Sequence, residues 1–333
     1  MCYDFYGDFM KENLLLKHSE KLAIEIDLLC KNIVGNSNAV FQIRKSSSSV
    51  FANVTEAQFP QSLPDMLSKF KIARKECIET ESWLKLLYSS DTVLIPVGSL
   101  ENHGLHMPLG TDALIPDEIA RLINERSDIL IAPTVNYGAT DDLSGFPGTV
   151  SIGTEGLIHL LKAITDELYK YGFRRFLILN GHGGNNAAIQ AVGTYLYRKG
   201  AYLANLNWWL MAGQLNPEWA GGHGGGEETA AIMAVDESLI KKEYINLPES
   251  YKNDLGDNLP YAAWQNISFK GATVTVPREI RQISDNGWLV HSFKGDVPSR
   301  ANKAWGVEML SAMADYIVDF EKEFACVKLP EKQ

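Results

Sequence analysis

Three short polar runs hold the residues best able to do chemistry. In the first, PVGSLENHGLHMPLGTD at 96–112, Glu101 and His103 stand two apart, so on extended backbone they project to the same side. The glycines and Pro108 in the turn that follows can return Asp112 towards them. Two carboxylates and an imidazole make an O/N donor set suited to Zn²⁺, Mn²⁺ or Fe²⁺. The second run, LILNGHGGN at 177–185, is an apolar segment entering a glycine-rich turn that carries His182. It has neither the GxxxxGKS/T nor the GxGxxG pattern, which weakens a phosphate cradle as its reading. Its glycines are expected to let His182 approach a metal. In the third run, WAGGHGGGEET at 219–229, His223 and Glu228 can face one cleft, and Glu227 is expected to face away. Trp208, Trp209 and Trp219 are read as core or lid packing.

Such side chains need elements to hold them, and the chain supplies a regular alternation from residue 82 onward. Apolar runs at 92–97, 129–132, 176–179 and 202–206 read as strands. Helical spacing appears at 113–126, 155–171, 186–198, 228–235 and 301–324. Strands alternating with helices predict an α/β fold, a mostly parallel β-sheet flanked by helices on both faces. In such a sheet the ligand site lies beyond the carboxyl ends of the strands. His103, His106 and His182 all fall at strand exits. Residues 245–300, rich in Gly, Pro and Asn, are expected to be loops and edge elements.

Residues 1–78 differ in character: helical spacing at 21–30, a polar patch at 46–49, and Pro60 and Pro64 at the exit. They are read as an appendage of unknown role, leaving 79–333 as the chemical domain. The 333-residue chain carries a net charge of −10, which weighs against nucleic acid and anionic membrane as partners. Cys2, Cys30, Cys77 and Cys326 form no CxxC pair, so they read as free thiols in a reducing compartment. The acidic N-terminus and the lack of a long apolar run predict a cytoplasmic protein. The sequons at Asn53 and Asn266 are taken as chance matches.

Four ordered motifs resemble the creatininase (creatinine amidohydrolase) family: GSxExHGxHxPxGTD at 98–112, FPGT at 146–149, NGHGGN at 180–185 and HxGxxET at 223–229. GDVPS at 295–299 belongs to the same resemblance, which covers residues 80–324. It implies an α/β fold with two divalent metal ions per chain, often in a homo-oligomer, hydrolysing a small cyclic substrate. Carried over by motif, Glu101 and His182 would hold one metal, His103 and Glu228 the other, and Asp112 would bridge both. His223 would stand beside them as the proton-transfer residue. His106, Asn185 and Trp219 are expected to orient ligands from behind or to meet the substrate. Gly184 stands where creatininase itself carries a metal-binding Glu, Leu105 where the family usually has Pro, and Gly226 where it often has Glu. The expected reaction is opening of a cyclic amide or related C–N bond by a metal-bridging hydroxide. The alternatives are C–C ring opening of a cyclic ketone or diketone at the same centre, or a non-catalytic metal-binding structural protein.

Overall fold

The structure is a computed structural model that describes residues 13–31, 37–88, 91–247, 251–288 and 297–332. Its contacts divide the chain into two compact units, Met1–Ser90 and Asp91–Gln333. The described residues of the first form three helices: α1 (Leu14–Lys31), α2 (Ser37–Glu56) and α3 (Leu63–Tyr88). Ile26 and Cys30 of α1 meet Ile43 of α2 and Trp83 of α3 in a small apolar core. The serines at 46–49, read from sequence as a polar patch, lie inside α2. Ser46 and Ser47 are buried. Each turns its hydroxyl back to the carbonyl three residues earlier, which satisfies it within the helix. Thr80 of α3 donates to Ser46 Oγ at 2.9 Å, so the hydroxyls join two helices. α3 runs without a break across residue 78, where the sequence placed the end of the appendage.

The second unit carries a parallel sheet of β1 (Thr92–Val97), β2 (Leu130–Ile131), β3 (Arg175–Asn180) and β4 (Tyr202–Asn207), in the order β2-β1-β3-β4. Every residue of β1 and β3 is buried. That is why both read as unbroken apolar runs and not as alternating ones. Leu94, Leu177 and Leu179 face one core, formed with α4 (Thr111–Asn124), α7 (Trp208–Leu215), α8 (Gly226–Asp236) and α10 (Lys303–Ala325). Val93, Ile95, Phe176 and Ile178 face a second core with α5 (Gly153–Lys170) and α6 (Asn186–Arg198). The expected α/β sheet covered on both faces is what the chain forms.

The connection from β1 through α4 to β2 and the connection through α5 to β3 leave on opposite sides of β1. The strand order therefore reverses between β1 and β3, where a crevice opens at their carboxyl ends. Part of the loop region forms an antiparallel sheet of β5 (Tyr261–Ala263), β6 (Asn266–Phe269) and β7 (Ala272–Thr275), followed by the short helix α9 (Ile280–Ile283). Of the GDVPS motif, Gly295 and Asp296 lie outside the described residues. No described helix is long and apolar enough to cross a membrane.

Candidate metal centre

The crevice between β1 and β3 gathers the donors. Glu101 and His103 follow β1, Asp112 sits in the first turn of α4, His182 follows β3, and Glu228 lies in the first turn of α8. The positive ends of two helix dipoles thus face the carboxylates of Asp112 and Glu228. All five side chains are buried. Three triads have donor atoms within 4.8 Å of one another: Glu101, Asp112 and His182; His103, Asp112 and Glu228; and Glu101, His103 and His223. Asp112 belongs to the first two.

Distances fix the orientation of each group. His182 Nδ1 lies 3.0 Å from Glu101 Oε2 and 3.0 Å from Asp112 Oδ2. Its Nε2 is 3.1 Å from the carbonyl of Ala139, which can only accept, so that nitrogen carries the proton and Nδ1 faces the acids. His103 is set the opposite way. Its Nδ1 donates to the Glu101 carbonyl at 3.3 Å and its Nε2 lies 2.8 Å from Asp112 Oδ1 and 3.7 Å from Glu228 Oε2. Ser99, fully buried, donates to Glu101 Oε2 at 2.7 Å and Asp112 Oδ2 at 3.1 Å. The backbone N–H of Gly224 donates to Glu228 Oε2 at 2.7 Å.

These groups fit divalent cations. Glu101 Oε1 is buried without a hydrogen-bond partner, with the His223 and His103 ring nitrogens 3.6 Å and 3.9 Å away. Three buried carboxylates converge with no Lys or Arg among the described residues lining the adjoining cavity. Such a set is costly unless cations enter it. The proton balance says the same. Burial opposes a charge on His103, but Asp112, Glu228 and Glu101 outweigh it and push the imidazole up to about 10. His182 is likewise held well above its ordinary value, burial being overcome by Glu101 and Asp112. Burial pushes Glu228 up to about 8 against the pull of His103. Asp112 is held far below the usual carboxylate range because His103 and His182 outweigh its burial.

The other sequence candidates separate in space. His223 Nδ1 stands 3.6 Å from Glu101 Oε1, its ring 4.3 Å from that of His103. His106 stays outside the cluster: its Nε2 is 3.1 Å from Thr229 Oγ1, one residue after Glu228, and burial drops its imidazole to about 4. Asn185 is fully buried and acts as a tie, donating to the Gly98 carbonyl at 3.1 Å and accepting from Ala139 N at 2.9 Å. Trp219 packs in the core beside α7 and does not line the cavity.

That cavity, of about 750 Å³, is lined by Asp112, His182, His223, Glu228, Trp209 and Trp264 among others. Glu227 lines it as well and is completely buried, but it joins none of the three donor triads. At the start of α8 the turn carries both glutamates inward, towards a helix N-terminus that favours anions. Sequence reasoning also missed Asp142 and Trp264. Asp142 accepts from the Trp264 indole Nε1 at 3.0 Å, and burial raises its carboxyl above the ordinary value. The pair spans 122 positions, so no local signal could have joined it.

Residues 79–320 match the sequence profile of the creatininase (creatinine amidohydrolase) family, and residues 11–94 match that of the 23S rRNA-intervening sequence protein. The chain is 43% identical over 114 residues to a mycofactocin precursor peptide peptidase of Mycolicibacterium smegmatis, covering 32% of this chain and 46% of the relative. It is 31% identical over 170 residues to a creatinine amidohydrolase of Pseudomonas putida, covering 44% of this chain and 65% of the relative. These alignments span less than two thirds of either relative. A solved structure described as creatininase Mn superposes with a TM-score of 0.58 at 24% identity, over 74% of this chain and 96% of its own, which shows a shared fold. With the profile match extending over most of its length, the chain belongs to the creatininase family.

Proposed function

We propose that this chain is a binuclear metal-dependent hydrolase that opens a cyclic amide or a related C–N bond. The observation that carries the reading is the pair of buried donor triads sharing Asp112. Glu101, His182 and Asp112 would hold one ion, and His103, Glu228 and Asp112 the other. Two relatives support amide chemistry: one is a peptidase and another an amidohydrolase. Divalent ions, when bound, polarise a carbonyl and make water acidic near neutral pH. The chain's own part is to hold them and to manage protons. Proton-bearing ring nitrogens of His103 and His182, fixed by the Glu101 and Ala139 carbonyls, keep the opposite nitrogens turned to the acids. Ser99 orients one oxygen each of Glu101 and Asp112. His223, ringed by the cluster on one side and the cavity on the other, delivers a proton to the leaving nitrogen.

The donor set differs from that of creatininase at one place. A Cβ on Gly184 would meet the Ala139 carbonyl at 2.2 Å and His182 Nε2 at 2.5 Å, so no glutamate fits there on this backbone. Glu228 on α8 would supply a carboxylate to the ion held with His103 and Asp112. The cavity volume sits within the ordinary range for ligands larger than a single five-membered ring.

Reconstitution with Zn²⁺ or Mn²⁺ followed by elemental analysis should return close to two ions per chain, and one or none would overturn the binuclear reading. His223→Ala should keep both ions and lose roughly 10²–10⁴-fold in kcat on a substrate found by screening cyclic amides, lactams and short peptides. Loss of metal would make His223 a ligand. Turnover of cyclic ketones alone would move the reaction to C–C cleavage.

A further inference from the structure

The residue facing His223 across the cavity comes from a part of the chain with no motif. Trp264 sits at the tip of the β5–β6 hairpin, and its indole ring stands edge-on to the His223 imidazole, 5.0 Å between centroids at 67°. His103 also lies against that imidazole, 4.3 Å between ring centroids. The imidazole therefore touches both a donor-cluster ring and an indole. Three independent contacts determine where the indole stands. Its Nε1–H donates to Asp142 at 3.0 Å. Its backbone N–H donates to Tyr261 Oη at 2.9 Å. Its ring packs on the small core of Leu143, Phe146, Ile280 and Ile283. Trp264 also adopts φ 51°, the left-handed region that a bulky side chain seldom occupies. A residue kept there despite the strain is held by its surroundings, and such residues cluster at functional sites.

We propose that Trp264, anchored through its indole N–H to Asp142, is the positioning residue that fixes the His223 imidazole against the donor cluster. The inference rests on the assignment of proton transfer to His223, and it adds the device that aims that residue. The glycines at 221, 222, 224, 225 and 226 around His223 give its loop little intrinsic stiffness. Orientation must then come from outside the loop. His103 supplies one such contact, and Trp264 of the β5–β6 hairpin supplies another. Asp142 ties that hairpin to the loop after Thr140, so the two segments hold the imidazole jointly.

The test uses the full-length, zinc-loaded protein with isotope-labelled histidine. His223 is assigned by the resonance lost in His223→Gln. In Asp142→Ala the indole keeps its ring but loses its anchor, and the His223 resonance should shift or split. Those of His103 and His182 and the zinc content should hold. Asp142→Asn removes the same charge yet still accepts from Nε1–H, and should return His223 to its wild-type position. Trp264→Leu should give His223 several signals in place of one. An unmoved His223 resonance in Asp142→Ala overturns the proposal. So does a shift shared equally by all three histidines, or one that Asp142→Asn fails to rescue. Full turnover by His223→Gln would instead refute the proton-transfer role, while leaving the dependence of the imidazole on Asp142 intact.

Discussion

His103, His182 and Glu228 all have raised proton affinity, and each must give up a proton before it can donate to a cation. A proton on a ligand competes with the metal, and raising the pH removes that competitor. Apparent affinity for Mn²⁺ should therefore rise between pH 6.5 and 8, by up to tenfold per pH unit for each proton released. Calorimetric titration in two buffers of different ionisation enthalpy should show net proton release. Affinity that falls with pH, or uptake without release, would contradict these protonation states. Asp112→Asn should abolish binding of both ions, since Asp112 is common to the two triads, whereas Glu101→Gln should weaken mainly one. The residues of the donor cluster were legible at this scale because each lies within a short motif at a strand exit or a helix start. Ser99 was in the same motif, but nothing in its type shows that its hydroxyl bridges Glu101 and Asp112. Glu227 joins none of the donor triads, yet the first turn of α8 buries it together with Glu228.

Among elements, the decisive contact is between the exits of β1 and β3 and the start of α4. A Cβ on Gly181 would lie 1.9 Å from the Asp112 carbonyl, and one on Gly98 would lie 2.4 Å from it. These two glycines let two strands touch the backbone of the turn that carries Asp112. Four positions on, Pro116 has no N–H to give that carbonyl its usual helical bond, so the turn keeps its place by packing. The expectation that the glycines around His182 serve only its approach to a metal is too narrow: Gly181 serves Asp112. Gly181→Ala should cost about 1–3 kcal/mol in denaturant unfolding and lower the zinc content, because the helix start must retreat. Gly183→Ala is the contrast, since its Cβ would meet only Trp209 at 3.9 Å. It should bind zinc as the parent does. Equal effects of both substitutions would sink the close-approach account. The strands and helices of this unit were readable because buried parallel strands are apolar throughout and amphipathic helices follow a 3.6-residue period. The β5–β6–β7 sheet was not, because its short strands stand among polar residues and Phe269 and Val274 remain exposed.

For the molecule as a whole, the division of labour between the two units can be tested directly. Every residue placed in the donor cluster, the cavity and the Trp264 contact lies in Asp91–Gln333. That unit has apolar cores on both faces of its sheet, large enough to fold without help from another domain. The three-helix unit has its own core around Ile26, Cys30 and Ile43, and a different family profile matches it. A truncation is best made after Ser90, where the contacts divide the chain, because α3 continues to Tyr88 and a cut inside it would leave a stray helical turn. Residues 91–333 expressed alone should therefore fold, as judged by a cooperative unfolding transition, and take up as many zinc ions as the full chain. The oligomeric state, followed by light scattering on both proteins, reads separately whether the helical unit governs assembly. A truncated chain that unfolds cooperatively but binds fewer ions would show that the helical unit contributes to the metal site. The assignment of the centre to the sheet unit alone would then be wrong.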